Sequence, residues 1–388
     1  MKSFAVRLLV FSSMLGIVVS GCINVNQGLT PGTAEWHADQ AGKLVSQGHY
    51  DEAIEESSKA IELDPNLATA YNNRAAAYGS KGRYDLAIAD CNRAIELDPN
   101  HAKAYDNRAF SYNNKGQYDL AIADCNKAIE LDPNLATAYS ERAFSYNSMG
   151  QYDLAIADCN KAIELDLNLA VAYNERAFSY SSKGEYDLAI ADCNKAIELN
   201  PNYAKAYNNR AFSYNNKGQY DLAIADCNKA IELDPNLATA YSERAFSYDS
   251  MGQYDLAIAD YSKAIELDPN YTEAYNNRAV AYGSKGQYDL AIADCNKAIE
   301  LHPDYAEAYN NRAFGYNNKG QYDLAIADCN RAIELDPNLA TAYSERAWAY
   351  RQLGKKVEAI ADLEKLLILT NDPQWIEWLR QQIEELSE

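Results

Sequence analysis

The chain has 388 residues, a formal charge of −21 and 8 cysteines. By length alone that is two or three ordinary domains. A negative field of this size repels phosphate backbones and anionic lipid surfaces, which argues against nucleic acid as a partner, although such charge also serves simply to keep a protein soluble.

The first segment is an address. Lys2 and Arg7 give a basic start, and Leu8–Ser20 is an apolar run of thirteen residues, too short for a membrane span of about 20. The run ends Val19-Ser20-Gly21-Cys22. Small residues ahead of a cysteine resemble the lipobox of bacterial lipoproteins, and Cys22 is the one cysteine outside a repeating column. That resemblance implies cleavage after a signal peptide over 1–21 and acylation of Cys22. Two or three acyl chains anchor firmly, at about 0.8 kcal/mol per buried CH₂. An ordinary cleaved signal peptide and an uncleaved anchor are the alternatives. Ile23 stands where an aspartate would resemble an inner-membrane retention signal, so the expected site is the periplasmic face of the outer membrane if the host has one. Residues 22–33, with Gly28, Pro31 and Gly32, read as a polar tether.

From residue 34 the chain repeats. Gly116–Leu131, GQYDLAIADCNKAIEL, recurs letter for letter at Gly150–Leu165, Gly218–Leu233 and Gly286–Leu301, always at multiples of 34 residues. Within one period, Tyr71, Ala75 and Tyr78 follow the spacing of an amphipathic helix, and Gly82 supplies a left-handed stop. Tyr84, Ala87, Ile88, Cys91, Ala94 and Ile95 form a second stripe, which Asp98-Pro99 ends because proline lacks an amide and biases its predecessor away from helix. Each period is therefore a helix hairpin, and neither helix can bury its stripe alone. A longer period lies above the short one: DPNLATAYSERA begins at Asp132, Asp234 and Asp336, 102 residues apart.

Tyr71, Ala75, Tyr78, Gly82, Tyr84, Ala87, Cys91, Ala94 and Pro99 fall in order on the pattern of the tetratricopeptide repeat (TPR), and the chain resembles that family from Ala34 to about Pro373. The resemblance implies an all-α, right-handed superhelical solenoid of about ten hairpins: 34–67, 68–101, 102–135, 136–169, 170–203, 204–237, 238–271, 272–305, 306–339 and 340–373. Leu167 replaces one repeat-ending proline, which predicts a less sharp turn there. Residues 374–388 are expected to form a capping helix, with Trp375, Ile376, Leu379, Ile383 and Leu386 on its apolar face, covering an otherwise sticky end.

Three side-chain columns follow the repeat. Cys91, Cys125, Cys159, Cys193, Cys227, Cys295 and Cys329 share one slot, which Tyr261 fills once and Ser57 once. Helices pack about 8–10 Å apart and disulfides need Cα atoms within about 7 Å, so these thiols read as buried small hydrophobes. With His37, His49, His101 and His302 scattered and no CxxC, no metal site is expected. Arg74, Arg108, Arg142, Arg176, Arg210, Arg244, Arg278, Arg312 and Arg346 each precede an aspartate by sixteen residues (Asp90 to Asp362). This predicts an ion pair across each of these nine hairpins; the first hairpin has Gln40 and Glu56 instead.

A helical wheel puts Lys103, Asp106, Asn107, Phe110 and Asn114 on the free face of a first helix, which by the resemblance lines a concave groove where partner peptides are held. Asn73, Asn107, Asn209, Asn277 and Asn311 share one column there, interrupted by Glu141, Glu175, Glu243 and Glu345. An amide side chain can donate to and accept from one peptide unit. The column resembles the asparagine ladder in the TPR superhelix of O-linked N-acetylglucosamine transferase; local or water-only bonding is the alternative. Phe110, Phe144, Phe178, Phe212, Phe246, Phe314 and Trp348 form a second groove column, either open as apolar pockets or covered by neighbouring helices. A carboxylate clamp of the chaperone-binding kind is not expected, because Ala38, Gly42 and Asn107 stand in three of its places.

The expected function is a membrane-anchored scaffold for protein–protein interaction, holding an extended polypeptide or a folded partner during assembly of an envelope complex. A passive spacer or self-associating rod is the alternative. No catalytic set departs from the repeat pattern, so no enzyme activity, cofactor or small-molecule substrate is expected.

Overall fold

The structure is a computed structural model that describes residues 29–387. The expected signal peptide over 1–21, the lipidated Cys22 and the tether as far as residue 28 lie outside the described residues. Among those described there are 21 helices and no strand.

The chain divides into two compact units, one holding the chain up to Gln219 with Glu232–Asp234, the other Tyr220–Ile231 and everything from Pro235 onward. The first contains α1 (Ala34–Ser46), α2 (Tyr50–Leu63), α3 (Ala68–Ser80), α4 (Tyr84–Leu97), α5 (Ala102–Asn114), α6 (Tyr118–Leu131), α7 (Ala136–Ser148), α8 (Tyr152–Leu165), α9 (Ala170–Ser182), α10 (Tyr186–Leu199) and α11 (Ala204–Asn216). The second contains most of α12 (Tyr220–Leu233), then α13 (Ala238–Ser250), α14 (Tyr254–Leu267), α15 (Thr272–Ser284), α16 (Tyr288–Leu301), α17 (Ala306–Asn318), α18 (Tyr322–Leu335), α19 (Ala340–Gln352), α20 (Lys356–Leu369) and α21 (Pro373–Ser387). Within each unit, odd and even helices pair as antiparallel hairpins, and the first helices of successive hairpins lie side by side.

The turn inside a hairpin is set by glycine. After α7, Gly150 takes φ 73°, and its N–H donates to Asn147 O at 3.1 Å while Gln151 N–H donates to Tyr146 O at 2.8 Å. These two bonds are the Schellman pattern, which satisfies carbonyls the helix itself leaves open. Between hairpins, Asp98 turns extended (φ −136°, ψ 93°) and its carboxylate accepts the Asn100 N–H at 3.0 Å. At Leu167 the expectation of a looser turn fails. Asp166 keeps φ −141° and ψ 100° and still accepts Asn168 N–H at 2.9 Å. The aspartate's own side chain, not the proline, fixes this corner.

The core is built from small side chains. Ala87, Ala94, Ala104, Cys91 and Ser111 are all 0% exposed, so helices approach closely at positions where larger residues would hold them apart. Tyr261 takes the cysteine slot and is also fully buried, packed against Ala245, Ala257, Ala274 and Ala281.

The last helix, α21, starts one residue earlier than expected, with Asp372 Oδ1 accepting Gln374 N–H at 2.9 Å as its N-cap. Leu379 and Leu386 bury against Leu363 and Leu366 of α20, so α21 does cover that end of the second unit. Trp375 is the exception. Its ring stacks on Trp378 at 4.7 Å and 7° and faces solvent with it.

Candidate functional site

The face of the first helices is held in place by an arginine network. In α7, Arg142 Nε and Nη2 donate to the two oxygens of Asp158 at 2.7 Å each, while Nη1 reaches back to Asn126 Oδ1 in the preceding hairpin at 2.5 Å. The guanidinium also lies over the Tyr139 ring at 5.6 Å. The same two-oxygen pair joins Arg74 to Asp90, Arg108 to Asp124 and Arg176 to Asp192 in the first unit. In the second it joins Arg244, Arg278, Arg312 and Arg346 to Asp260, Asp294, Asp328 and Asp362. The expected bond is thus present across these eight hairpins, and the contact of Arg142 with Asn126 adds a bond between hairpins that spacing alone did not reveal. In the first hairpin Glu56 instead meets His37 Nδ1 at 2.5 Å and Lys59 at 2.7 Å.

The asparagine column has partners within the array. Asn73 Nδ2 donates to Ala38 O at 2.8 Å. Asn107, Asn209 and Asn311 each donate to an asparagine of the preceding first helix: Asn72 at 2.9 Å, Asn174 at 2.9 Å and Asn276 at 2.8 Å. Asn277 Oδ1 accepts from Asn276 at 3.3 Å. An N–H of each donor is therefore engaged between neighbouring hairpins, and the column couples first helices before it can meet any ligand.

The glutamates that interrupt the column are held by a second set of amides. Asn113 Nδ2 donates to Glu141 O and to Glu141 Oε2, both at 2.9 Å, and Ser145 Oγ donates to Asn113 Oδ1 at 2.5 Å. Asn147 repeats this arrangement with Glu175 and Ser179, and Asn317 makes the same two bonds to Glu345 without a serine at its Oδ1, Ala349 standing in that place. Burial, reinforced by the nearby Asp106 charge, pushes the Glu141 carboxyl up to about 8 despite the Asn113 bond. Burial likewise pushes Asp106 up to about 6, against the Thr137 hydroxyl that donates to it at 2.6 Å. Sequence reasoning passed over Asn113, Asn147 and Asn317. Their signal was available: a polar residue six positions after the ladder residue, on a helix face otherwise made of alanine and serine.

The aromatic column is half covered. Phe110 meets the Tyr84 ring edge-on at 6.3 Å, Phe144 meets Tyr118 at 6.5 Å and Phe178 meets Tyr152 at 6.4 Å. Each tyrosine begins the second helix of the preceding hairpin. Phe212 is half-buried in the same unit. In the second unit, Phe314 meets Tyr288 at 6.2 Å and Trp348 meets Tyr322 at 5.5 Å. There the row stays open: Phe246 is 41% exposed, Val280 39%, Phe314 38% and Trp348 43%. Large apolar surface left open in a regular line is unusual on a protein surface.

All seven repeat cysteines are fully buried, and burial raises the thiols of Cys91, Cys125, Cys159, Cys227, Cys295 and Cys329, that of Cys295 to about 12. They carry no thiolate chemistry at neutral pH. Among the described residues no group of His, Cys, Asp or Glu is arranged to hold a metal ion, and no helix is long and apolar enough to cross a membrane.

Known proteins share this architecture. The family model described as Tetratricopeptide repeat matches residues 68–101, 102–135, 136–169, 170–203, 204–237, 272–305 and 306–339, more than half of the chain. A TPR repeat model matches 43–82 and 247–286, and a further Tetratricopeptide repeat model matches 227–259 and 329–361. A 42-residue stretch is 48% identical to the protein SGT1 homolog of Oryza sativa subsp. japonica, and it spans 11% of this chain and 11% of that protein. The crystal structure of the APC/C hetero-tetramer Cut9-Hcn1 aligns with a TM-score of 0.63 at 17% identity, over 92% of this chain and 76% of that chain. At that identity the likeness concerns the fold alone. The hairpin geometry and the breadth of the family match agree, and the chain belongs to the tetratricopeptide repeat family.

Proposed function

We propose that this protein is a scaffold for protein–protein interaction, and that it holds an extended polypeptide or partner protein against the first-helix face. The observation that carries the reading is the open row Phe246, Val280, Phe314 and Trp348, each 38–43% exposed. Rows of apolar pockets bind through a few anchoring side chains. In the first unit the half-buried Phe110, Phe144, Phe178 and Phe212 hold the same repeat position, and Asn73, Asn107, Asn209, Asn277 and Asn311, three positions earlier in their repeats, offer whatever bonding capacity their neighbours leave. Cys22 bears the lipid that fixes the scaffold to a bacterial membrane, on the periplasmic face of the outer membrane in a diderm host, where it serves assembly of an envelope complex.

Replacing Phe246, Phe314 and Trp348 together by alanine tests the reading. Recovery of the bound partner from detergent-solubilised membranes should fall at least tenfold with helicity unchanged. Equal recovery from the variant would remove the aromatic row from the binding face. Cys22→Ser should release the protein from the membrane fraction, and retention of that variant would remove the lipid anchor.

A further inference from the structure

The edge formed by the hairpin turns carries a second pattern. A lysine directly after each first helix reaches back to an aspartate in the first turn of the preceding second helix. Lys81 pairs with Asp51 at 2.5 Å and Lys183 with Asp153 at 2.5 Å. Lys115–Asp85, Lys217–Asp187, Lys285–Asp255 and Lys319–Asp289 are the same contact. Every third hairpin breaks the rule. Met149, Met251 and Leu353 stand where the lysine should be, on the same backbone: φ −92°, −90° and −86°, against −91° at Lys115. Asp119, Asp221 and Asp323 hold the aspartate position of this contact in the hairpins just before them and are exposed.

The surroundings make each gap a receptor and not merely a missing bond. Gly82, Arg83, Tyr84, Asp85, Leu86 and Lys115 line an open depression of ≈ 400 Å³. At the equivalent place one hairpin later, Gln117 replaces Arg83 and Met149 replaces Lys115. Both cations are gone and the carboxylate remains. Beside it Leu120 is 50% exposed and Met149 41%. In the second unit Leu222 is 49% exposed with Met251 at 40%, and Leu324 is 50% exposed with Leu353 at 38%.

We propose that Asp119–Leu120–Met149, Asp221–Leu222–Met251 and Asp323–Leu324–Leu353 are docking spots for a polypeptide partner that presents a lysine or arginine flanked by aliphatic side chains. Five of the six occupied contacts show what fits: an ammonium on a flexible apolar stem, with an exposed leucine (Leu86, Leu154, Leu188, Leu256 or Leu290) next to its aspartate; at Asp51 the neighbour is Glu52. The partner's cation completes the pair that the chain itself leaves open, and its aliphatic neighbours cover the leucine and the thioether. The formal charge of −21 favours approach of such a segment. This surface lies on the turn edge and is independent of the aromatic row.

The test uses the full chain and a synthetic amphipathic peptide of leucine and lysine, with a leucine–glutamate isomer as control. The wild type should bind the lysine peptide in a salt-dependent manner and ignore the glutamate peptide. The variant M149K/M251K/L353K restores the three internal pairs and should weaken binding at least tenfold. The variant N134K/N236K/N338K adds the same three charges at the opposite turns and should change it less than twofold. Equal weakening by the two lysine variants, or no binding by the wild type, overturns the proposal.

Discussion

The arginine network makes a quantitative prediction about how the scaffold is held together. Asp158 is 7% exposed and binds Arg142 through both oxygens at 2.7 Å, an interaction that holds the guanidinium pKa above its usual value. Removing one partner of a buried ion pair costs about 3–5 kcal/mol, because the other charge is left without compensation. The Arg142 side chain keeps 19% of its surface in water, so solvent screens part of that loss, and about 2–3 kcal/mol is expected for Asp158→Asn. In a repeat array each hairpin contacts only its neighbours, so the loss stays local. Hydrogen exchange is the suitable assay, since a single unfolding free energy is poorly defined for a long array. Amides of α8 should exchange roughly 30–150-fold faster, while those of α18 stay unchanged. Arg142→Met should behave similarly, and Arg142→Met with Asp158→Leu should recover about half of the loss, as apolar replacement of buried pairs does. Strictly additive effects of the single substitutions, or acceleration spread evenly over the chain, would refute the reasoning.

Other substitutions probe separate parts of the account. Gly150→Ala meets no atom within 4 Å, so its cost is the left-handed backbone alone, about 1–2 kcal/mol, read as faster exchange in the α7–α8 turn. Glu141→Gln should stabilise the first unit at pH 8 by about 1–2 kcal/mol. The sign follows from the raised carboxyl: the folded state prefers the proton, so ionisation opposes folding increasingly from about pH 4.5 up to about 8. Thermal melts of the pair should therefore converge below pH 4.5. Leu379→Ala removes a fully buried side chain, costs about 2–5 kcal/mol, and should expose the α20–α21 junction to limited proteolysis while the α1–α2 hairpin resists.

The fold was legible because the hairpin signals are local and repeated. Apolar spacing, a glycine stop and a proline-marked corner recur at a fixed period, so each repeat checks the reading of the others. Leu167 shows the limit of reading one letter, since the Asp166 carboxylate turns the chain without proline. The ion pairs were legible for the same reason: two columns of opposite charge separated by a constant sixteen residues must meet across the hairpin. The site was harder. A helical wheel gives the direction of Asn107 and Asn209 but not their partners 35 residues earlier, so engaged amides and free ones look alike in sequence. The half-cover of Phe314 by Tyr288 is another contact between hairpins, and burial of Glu141 depends on Asn113 and Asp106 from the preceding first helix. Trp375 was placed on the buried face by its spacing, yet it stacks on Trp378, because two adjacent indoles can cover one another without entering the core. The alternation of Lys115 with Met149 was visible throughout, but it gained meaning only once the lysines were seen reaching their aspartates.

The central claim is that a polypeptide lies along the first-helix face. Site-specific photo-crosslinking in the native membrane addresses it most directly, with a benzophenone side chain placed in turn at Phe246, Phe314 and Trp348, and at Leu63, an exposed leucine at the end of a second helix, as a control. The account predicts an adduct to the same polypeptide from all three aromatic positions and none from Leu63. Adducts from Leu63 alone, or none from any aromatic position, would contradict it.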